Sequence, residues 1–248
     1  MAYRPDPDLE FLSRCSSIEL DALLQVIVFD TDGKKRHSEQ ITNDSRYIKY
    51  HPDHEQYWEL LAEEVQKYGA NSLATILRGG KGVLYKEILF DVCDKVKVKY
   101  DKDAPVEEIE RKLIEKVAAE AISKLSSDEI KEVSENFKIT LTDFTPQALT
   151  AVVLSALQGS FYIGNNIAIW IFNSVLAAVT RQAGIVFVGG TLTARVISIL
   201  TGPIGWTLAG LWTMVDIAGP AYRVTVPSVL IISCLRQLHA LLPESISK

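Results

Sequence analysis

Cysteine is scarce. The 248 residues hold three, Cys15, Cys93 and Cys234, far apart and without a C-x-x-C pair. That excludes a disulfide-built fold and points to a reducing compartment. A leader pattern is missing too. Met1 to Glu10 is polar, with Pro5 and Pro7, and has neither the basic start nor the apolar stretch of a signal peptide. The expected location is the cytoplasm, with the inner membrane as the surface it meets. Positive charge is not in excess: 26 Lys and Arg stand against 31 Asp and Glu, a net −5. No nucleic-acid partner is expected from that balance. The apolar fraction of 48% and charged fraction of 23% exclude a disordered chain.

Charge itself is missing from the rear of the chain. From Leu149 to Lys248 the charged residues are Arg181, Arg195, Asp216, Arg223, Arg236, Glu244 and Lys248. No charge occurs over the 37 residues Phe144 to Thr180, nor over the 20 residues Val196 to Val215. Both runs reach the roughly 20 residues a helix needs to cross a hydrocarbon core. Nine of the 14 glycines lie between Gly159 and Gly219. Gly190, Ala194, Ser198 and Gly202 recur every four residues, a stripe of small side chains that lets helices approach closely. Pro203 should kink or break the helix there.

Two readings of this rear half compete. In one, apolar helices form a hairpin that inserts, with Trp170, Trp206 and Trp212 at the membrane interface or against a client. In the other, they are the buried core of a bundle. Gln158, Asn165, Asn166 and Asn173 interrupt the first run, and amides are costly in lipid unless paired. Arg195, Asp216 and Arg223 each stand alone in apolar surroundings. A buried ion needs a partner, so Asp216 is expected to pair with one of these arginines and clamp the rear helices.

The front half reads as amphipathic helices. Asp6-Pro7 is a helix opening. Ser16 with Glu19 forms a capping box, followed by Leu20, Leu23, Leu24 and Ile27 on one helical face. A polar loop is expected from Lys34 to about His54. Trp58, Leu61, Ala62 and Val65 repeat the helical spacing, and Gly69 is expected to stop that helix. Short helices follow over Asn71–Arg78 and about Val83–Val96. Pro105 to Lys124 is strongly helical, with Glu107–Arg111, Glu108–Lys112 and Glu120–Lys124 as i,i+4 pairs. Ser126 and Glu129 make a second capping box.

Candidate chemistry is thin. Val28-Phe29-Asp30-Thr31-Asp32-Gly33 looks like the nucleophile strand of haloacid-dehalogenase-type phosphatases, where two carboxylates share attack, proton transfer and magnesium binding. The preceding helical period and the lack of alternating strands favour a helix end with an Asp-Gly turn. Arg78-Gly79-Gly80-Lys81-Gly82 offers an anion loop on Arg78 and Lys81. It lacks the Ser or Thr that follows Gly-Lys in a phosphate loop, so a turn between helices is favoured. His51 and His54 do not match a zinc spacing and read as a solvated loop. Glu63-Glu64 reads as a solvated helix face. There is no G-x-S-x-G elbow. No catalytic residue, cofactor or metal is expected, and the chain is not expected to be an enzyme.

Two stretches carry a family likeness. One runs from Trp58-Glu59-Leu60-Leu61-Ala62-Glu63-Glu64 through Tyr68-Gly69 and Leu77-Arg78-Gly79 to Leu84-Tyr85-Lys86-Glu87-Ile88-Leu89-Phe90-Asp91-Val92. The other is Ala221-Tyr222-Arg223-Val224-Thr225-Val226-Pro227, continuing to Cys234-Leu235-Arg236. With Asp8-Leu9-Glu10-Phe11-Leu12 and Cys15-Ser16, they resemble the bacterial YaaW family over nearly the whole chain. That family has no assigned activity and offers no catalytic residues to carry over. Its middle is similar to the ubiquinol–cytochrome c chaperone-like domain, a helical domain associated with assembly of a respiratory membrane complex. The likeness implies a helical fold and, by analogy, handling of a membrane protein.

The expected fold is all-α: a charged helical domain over 1–140, then an apolar, glycine-rich hairpin or bundle over 145–240. Val224 to Ile232 is either a short strand or a helix opened by Pro227, and the helix is favoured. The expected function is non-enzymatic engagement of a membrane or membrane-protein client. The alternatives are a pore-forming hairpin, a soluble interaction module with a permanently buried core and, least favoured, a phosphate-handling enzyme. A protein partner is expected, and self-association is compatible with the sequence.

Overall fold

The computed structural model describes residues 3–30, 34–36, 40–70, 83–136, 139–159 and 222–241. These segments are all-α, as expected. Their helices are α1 (Ser17–Val28), α2 (Ser45–Tyr50), α3 (Trp58–Ala70), α4 (Tyr85–Lys95), α5 (Val106–Ile122), α6 (Ser127–Asn136), α7 (Pro146–Gly159) and α8 (Tyr222–Leu241). Short 3-10 turns cover Glu10–Arg14, Ile41–Asn43 and His54–Tyr57. Among the described residues the only β pairing is an isolated bridge, Phe29 to Lys35.

Both capping boxes form. The Ser16 and Ser126 amides donate to Glu19 Oε2 at 2.7 Å and Glu129 Oε2 at 2.8 Å, and each serine oxygen accepts the glutamate's amide. The Lys34–His54 loop is more structured than its polarity suggests. Asp44 accepts the Arg46 amide at 2.8 Å and opens α2. α3 ends at Ala70, one residue past Gly69. A side chain at Gly69 would place its Cβ 2.5 Å from Ile88 Cγ1 and 3.2 Å from Val83 Cγ2. Glycine is what lets α4 lie this close.

α8 is the centre of the fold. It packs against α1, α3, α4 and α5, and every residue from Val224 to Leu235 is buried. A helix apolar on all sides belongs either in a protein core or in lipid, and here it takes the core. Each fully buried Val, Leu or Ile contributes about 1.5–3 kcal/mol. The strand alternative for Val224–Ile232 is overturned, and the helix begins five residues before Pro227 rather than at it. Proline leaves the Arg223 carbonyl without its intrahelical donor. Arg36 Nη2 approaches that oxygen at 3.5 Å, a long contact that carries charge.

The N-terminal segment is stitched in by Asp6. Its Oδ1 accepts the Asp8 amide at 3.1 Å, the local cap expected at Asp6-Pro7, although the turn continues as a 3-10 helix. Its Oδ2 accepts the Tyr85 amide at 2.6 Å and Gln66 Nε2 at 3.4 Å. Asp6 therefore caps α4, whose own N-cap residue, Leu84, has no polar side chain. The Gln66 side chain also exchanges two hydrogen bonds with the Arg4 backbone, at 3.1 and 2.9 Å. Asp6→Ala should lower unfolding free energy by about 2–3 kcal/mol, a lost cap plus buried donors left unpaired. Urea titration checks this, and Asp6→Asn should recover part of the loss.

Candidate functional site

α8 is apolar but carries a polar side chain every three residues near its end: Ser233, Arg236 and His239. Arg236 enters the core between α5 and the N-terminal segment. Its Nε donates to Glu110 Oε2 at 2.7 Å. Its Nη2 donates to the Asp8 carbonyl. The guanidinium lies over the Phe11 ring, 4.3 Å from the centroid, a cation–π contact. From α4, the Tyr85 hydroxyl donates to Glu110 Oε1 at 2.6 Å. Both Glu110 oxygens are thus engaged, and its side chain is only 3% exposed.

Burial raises the Glu110 pKa, against the downward pull of Arg236 and Tyr85, to about 7. Burial and the Glu110 charge push Tyr85 well above its ordinary range. Glu110 and Arg236 line a cavity of about 400 Å³, walled also by Pro105, Glu107, Ser233 and Ala240. Chemically this arrangement can hold a proton near neutrality and anchor α8. It offers no activated nucleophile. The thiols beside it are no better: burial raises Cys15 and Cys234 far above the usual thiol range and pushes Cys93 up to about 12.

A second cluster joins α1 to the 3-10 turn. His54 Nε2 lies 3.2 Å from Asp21 Oδ1, and its Nδ1 bonds the Tyr57 hydroxyl. His51, exposed, reaches the same hydroxyl at 3.4 Å and stacks on Tyr47. The solvated-loop reading therefore fails for His54, which is 2% exposed. A third cluster, Cys15, Glu19 and His239, offers three different metal-ligand types whose ligand atoms all lie within 4.8 Å of one another.

Other expected positions resolve differently. Glu63 and Glu64 are buried, not solvated. Lys67 Nζ holds both, at 2.7 and 2.8 Å, and Arg46 reaches Glu63 at 3.4 Å. Asp30 serves the turn: its Oδ1 accepts the Lys34 amide at 2.9 Å. No strand precedes it, so the phosphatase-like arrangement is absent there. Arg223 is exposed at the start of α8. Asp32, Arg78, Lys81, Trp170, Arg195, Trp206, Trp212 and Asp216 lie outside the described residues.

A Helicobacter pylori relative, a UPF0174 protein of strain J99, is 40% identical over 237 residues, 95% of this chain and 93% of its own. The chain belongs to the UPF0174 family. UPF0174 protein YaaW of Escherichia coli K12 is 30% identical over 239 residues, covering 95% of this chain and 96% of its own. A domain of unknown function, DUF3944, matches residues 3–37. No solved structure matches. The likeness to YaaW read from the sequence holds. In this UPF0174 chain the matched segment 3–37 supplies one side of each cluster: the Asp8 carbonyl and Phe11, then Asp21, then Cys15 and Glu19.

Arg236 and Glu110 were not singled out from the sequence as a site, yet both left a signal. Arg236 is the sole charged residue between Arg223 and Glu244. Glu110 shares the buried face of α5 with Val106, Ile109, Leu113, Ile114 and Val117.

Proposed function

We propose that the chain is a non-enzymatic scaffold that presents its apolar rear segment to a membrane, or to the apolar part of a membrane protein, as an assembly factor does. The observation that carries this reading is the position of the two flanking helices. α7 and α8 both pack on α5, so the sequence between them leaves one helix and returns to the same one. Residues 160–221 carry charge at Arg181, Arg195 and Asp216 alone. Trp170, Trp206 and Trp212 are assigned to the interface, and Arg195 with Asp216 is the pair that must be neutralised on insertion. The helices of the described residues would be the water-facing body, since none of them is long and apolar enough to cross a membrane.

Flotation of the full-length protein with phosphatidylethanolamine–phosphatidylglycerol vesicles tests this. The expected result is co-flotation that resists carbonate. Leu176→Lys and Leu200→Lys, each six residues from an assigned interfacial tryptophan, should release the protein, because a lysine within lipid is costly unless paired. Dye leakage from the vesicles would replace the assembly role with pore formation. A monodisperse chain that never floats and captures no membrane protein overturns the reading and makes residues 160–221 a permanent core.

A further inference from the structure

We propose that Cys15, Glu19 and His239 form a binding site for a divalent, thiophilic metal ion, zinc first. The argument is geometric and does not depend on the membrane reading. Cys15 closes the 3-10 turn Glu10–Arg14 directly before Ser16, the N-cap of α1. Glu19 stands four residues on, in the first turn of α1. His239 comes from the last turn of α8, which packs against α1.

The capping box aims the carboxylate. Glu19 Oε2 is held by the Ser16 amide at 2.7 Å and the Ser16 hydroxyl at 2.9 Å. That leaves Oε1 facing His239 Nε2 at 3.2 Å. Tetrahedral zinc bound to one nitrogen and one oxygen sets those atoms about 3.4 Å apart, with sulfur about 3.6 Å from either. The nitrogen–oxygen edge is therefore already close to a coordination edge. The sulfur, within 4.8 Å of both, needs at most about 1.2 Å of closure to complete the face. Hydrogen bonds from outside the ligand set that fix a ligand in this way are a usual part of a metal site.

Charge agrees with geometry. A thiolate and a carboxylate with a neutral imidazole carry two negative charges, which a divalent ion cancels. Cys15 is 2% exposed, and an uncompensated thiolate there would be costly. Binding exchanges the thiol proton, released to solvent, for a sulfur–metal bond. The Glu19 and His239 side chains each retain 12% exposure, so a fourth ligand can be water.

The test uses metal-stripped, full-length protein and Co(II) as the probe. One equivalent should raise a thiolate-to-cobalt charge-transfer band in the near ultraviolet together with the visible bands of tetrahedral cobalt, and Zn(II) should displace both. Cys15→Ser should abolish the charge-transfer band. Cys93→Ala, outside the cluster, should leave it unchanged. Glu19→Gln keeps a capping-box residue at this position, and with His239→Gln should weaken cobalt binding at least about 10-fold. No band at saturating cobalt, or a band that survives Cys15→Ser, overturns the site. Should Cys15→Ser fail to fold, unchanged affinity in folded His239→Gln overturns it equally.

Discussion

Arg236→Ala is expected to lower the unfolding free energy by about 3–5 kcal/mol at pH 8, the cost of leaving one member of a buried ion pair alone. Three losses coincide. Glu110 keeps Tyr85 as its partner but loses the cation at 2.7 Å. The Asp8 carbonyl loses its donor. Phe11 loses the guanidinium over its ring. Since Arg236 joins α8, α5 and the N-terminal segment, the loss falls on the whole fold and not on one helix end. Replacing both members with apolar residues, Arg236→Met with Glu110→Leu, should cost less than Arg236→Ala alone, because no charge is then stranded. Urea denaturation with an unchanged slope is the measurement. A loss below about 1 kcal/mol would show that the pair behaves like a surface ion pair and does not anchor α8.

That pair also shows where the sequence is legible and where it is not. Local rules work where both partners are local. Ser16 with Glu19 and Ser126 with Glu129 are capping boxes in sequence and in structure. The i,i+4 pair Glu108–Lys112 closes at 2.9 Å. Arg111 instead turns to Glu115 at 3.1 Å, a choice between equivalent neighbours that spacing cannot make. Asp6 shows the next limit: its local cap was readable, but its bond to the Tyr85 amide, 79 residues on, was not. Glu63 and Glu64 look like surface residues until Lys67 and Arg46 close over them. Apolarity leaves one ambiguity by its nature. A helix buried in protein and one buried in lipid are alike in composition, and tertiary packing shows Tyr222–Leu241 in the core. The tight sites follow the same logic. Cys15 and Glu19 are near in sequence, but the third side chain of the cluster, His239, lies 220 residues from Glu19.

Stability should fall, not rise, as pH increases from about 5 to 7. Glu110 carries the effect. Its folded pKa is about 7 where an ordinary glutamate titrates near 4.5. The folded chain therefore binds this proton more tightly than the unfolded chain does. The stabilisation is complete below the unfolded value, shrinks as pH rises through the interval, and is gone above the folded value. A shift of this size corresponds to about 3 kcal/mol, at about 1.4 kcal/mol per unit. Tyr85 from α4, Arg236 from α8 and Glu107 from its own helix, α5, are the groups acting on it. Opposing carboxylates act lower on the scale. Glu19, Asp21 and Asp44 have lowered pKa values, held down by His239, His54 and Arg46 respectively. Their stabilisation is present above the ordinary carboxylate range and is lost only as pH falls through their folded values. Unfolding free energies of wild type and Glu110→Gln, measured from pH 4 to 8, isolate the cause, because every histidine is common to both chains. The variant's absolute stability also reflects an Arg236 that has lost its counter-ion, so the slope is the quantity to compare. Wild type should fall across pH 5–7 while Glu110→Gln stays flatter. Parallel profiles would mean that Glu110 remains ionised throughout, with Arg236 and Tyr85 outweighing its burial.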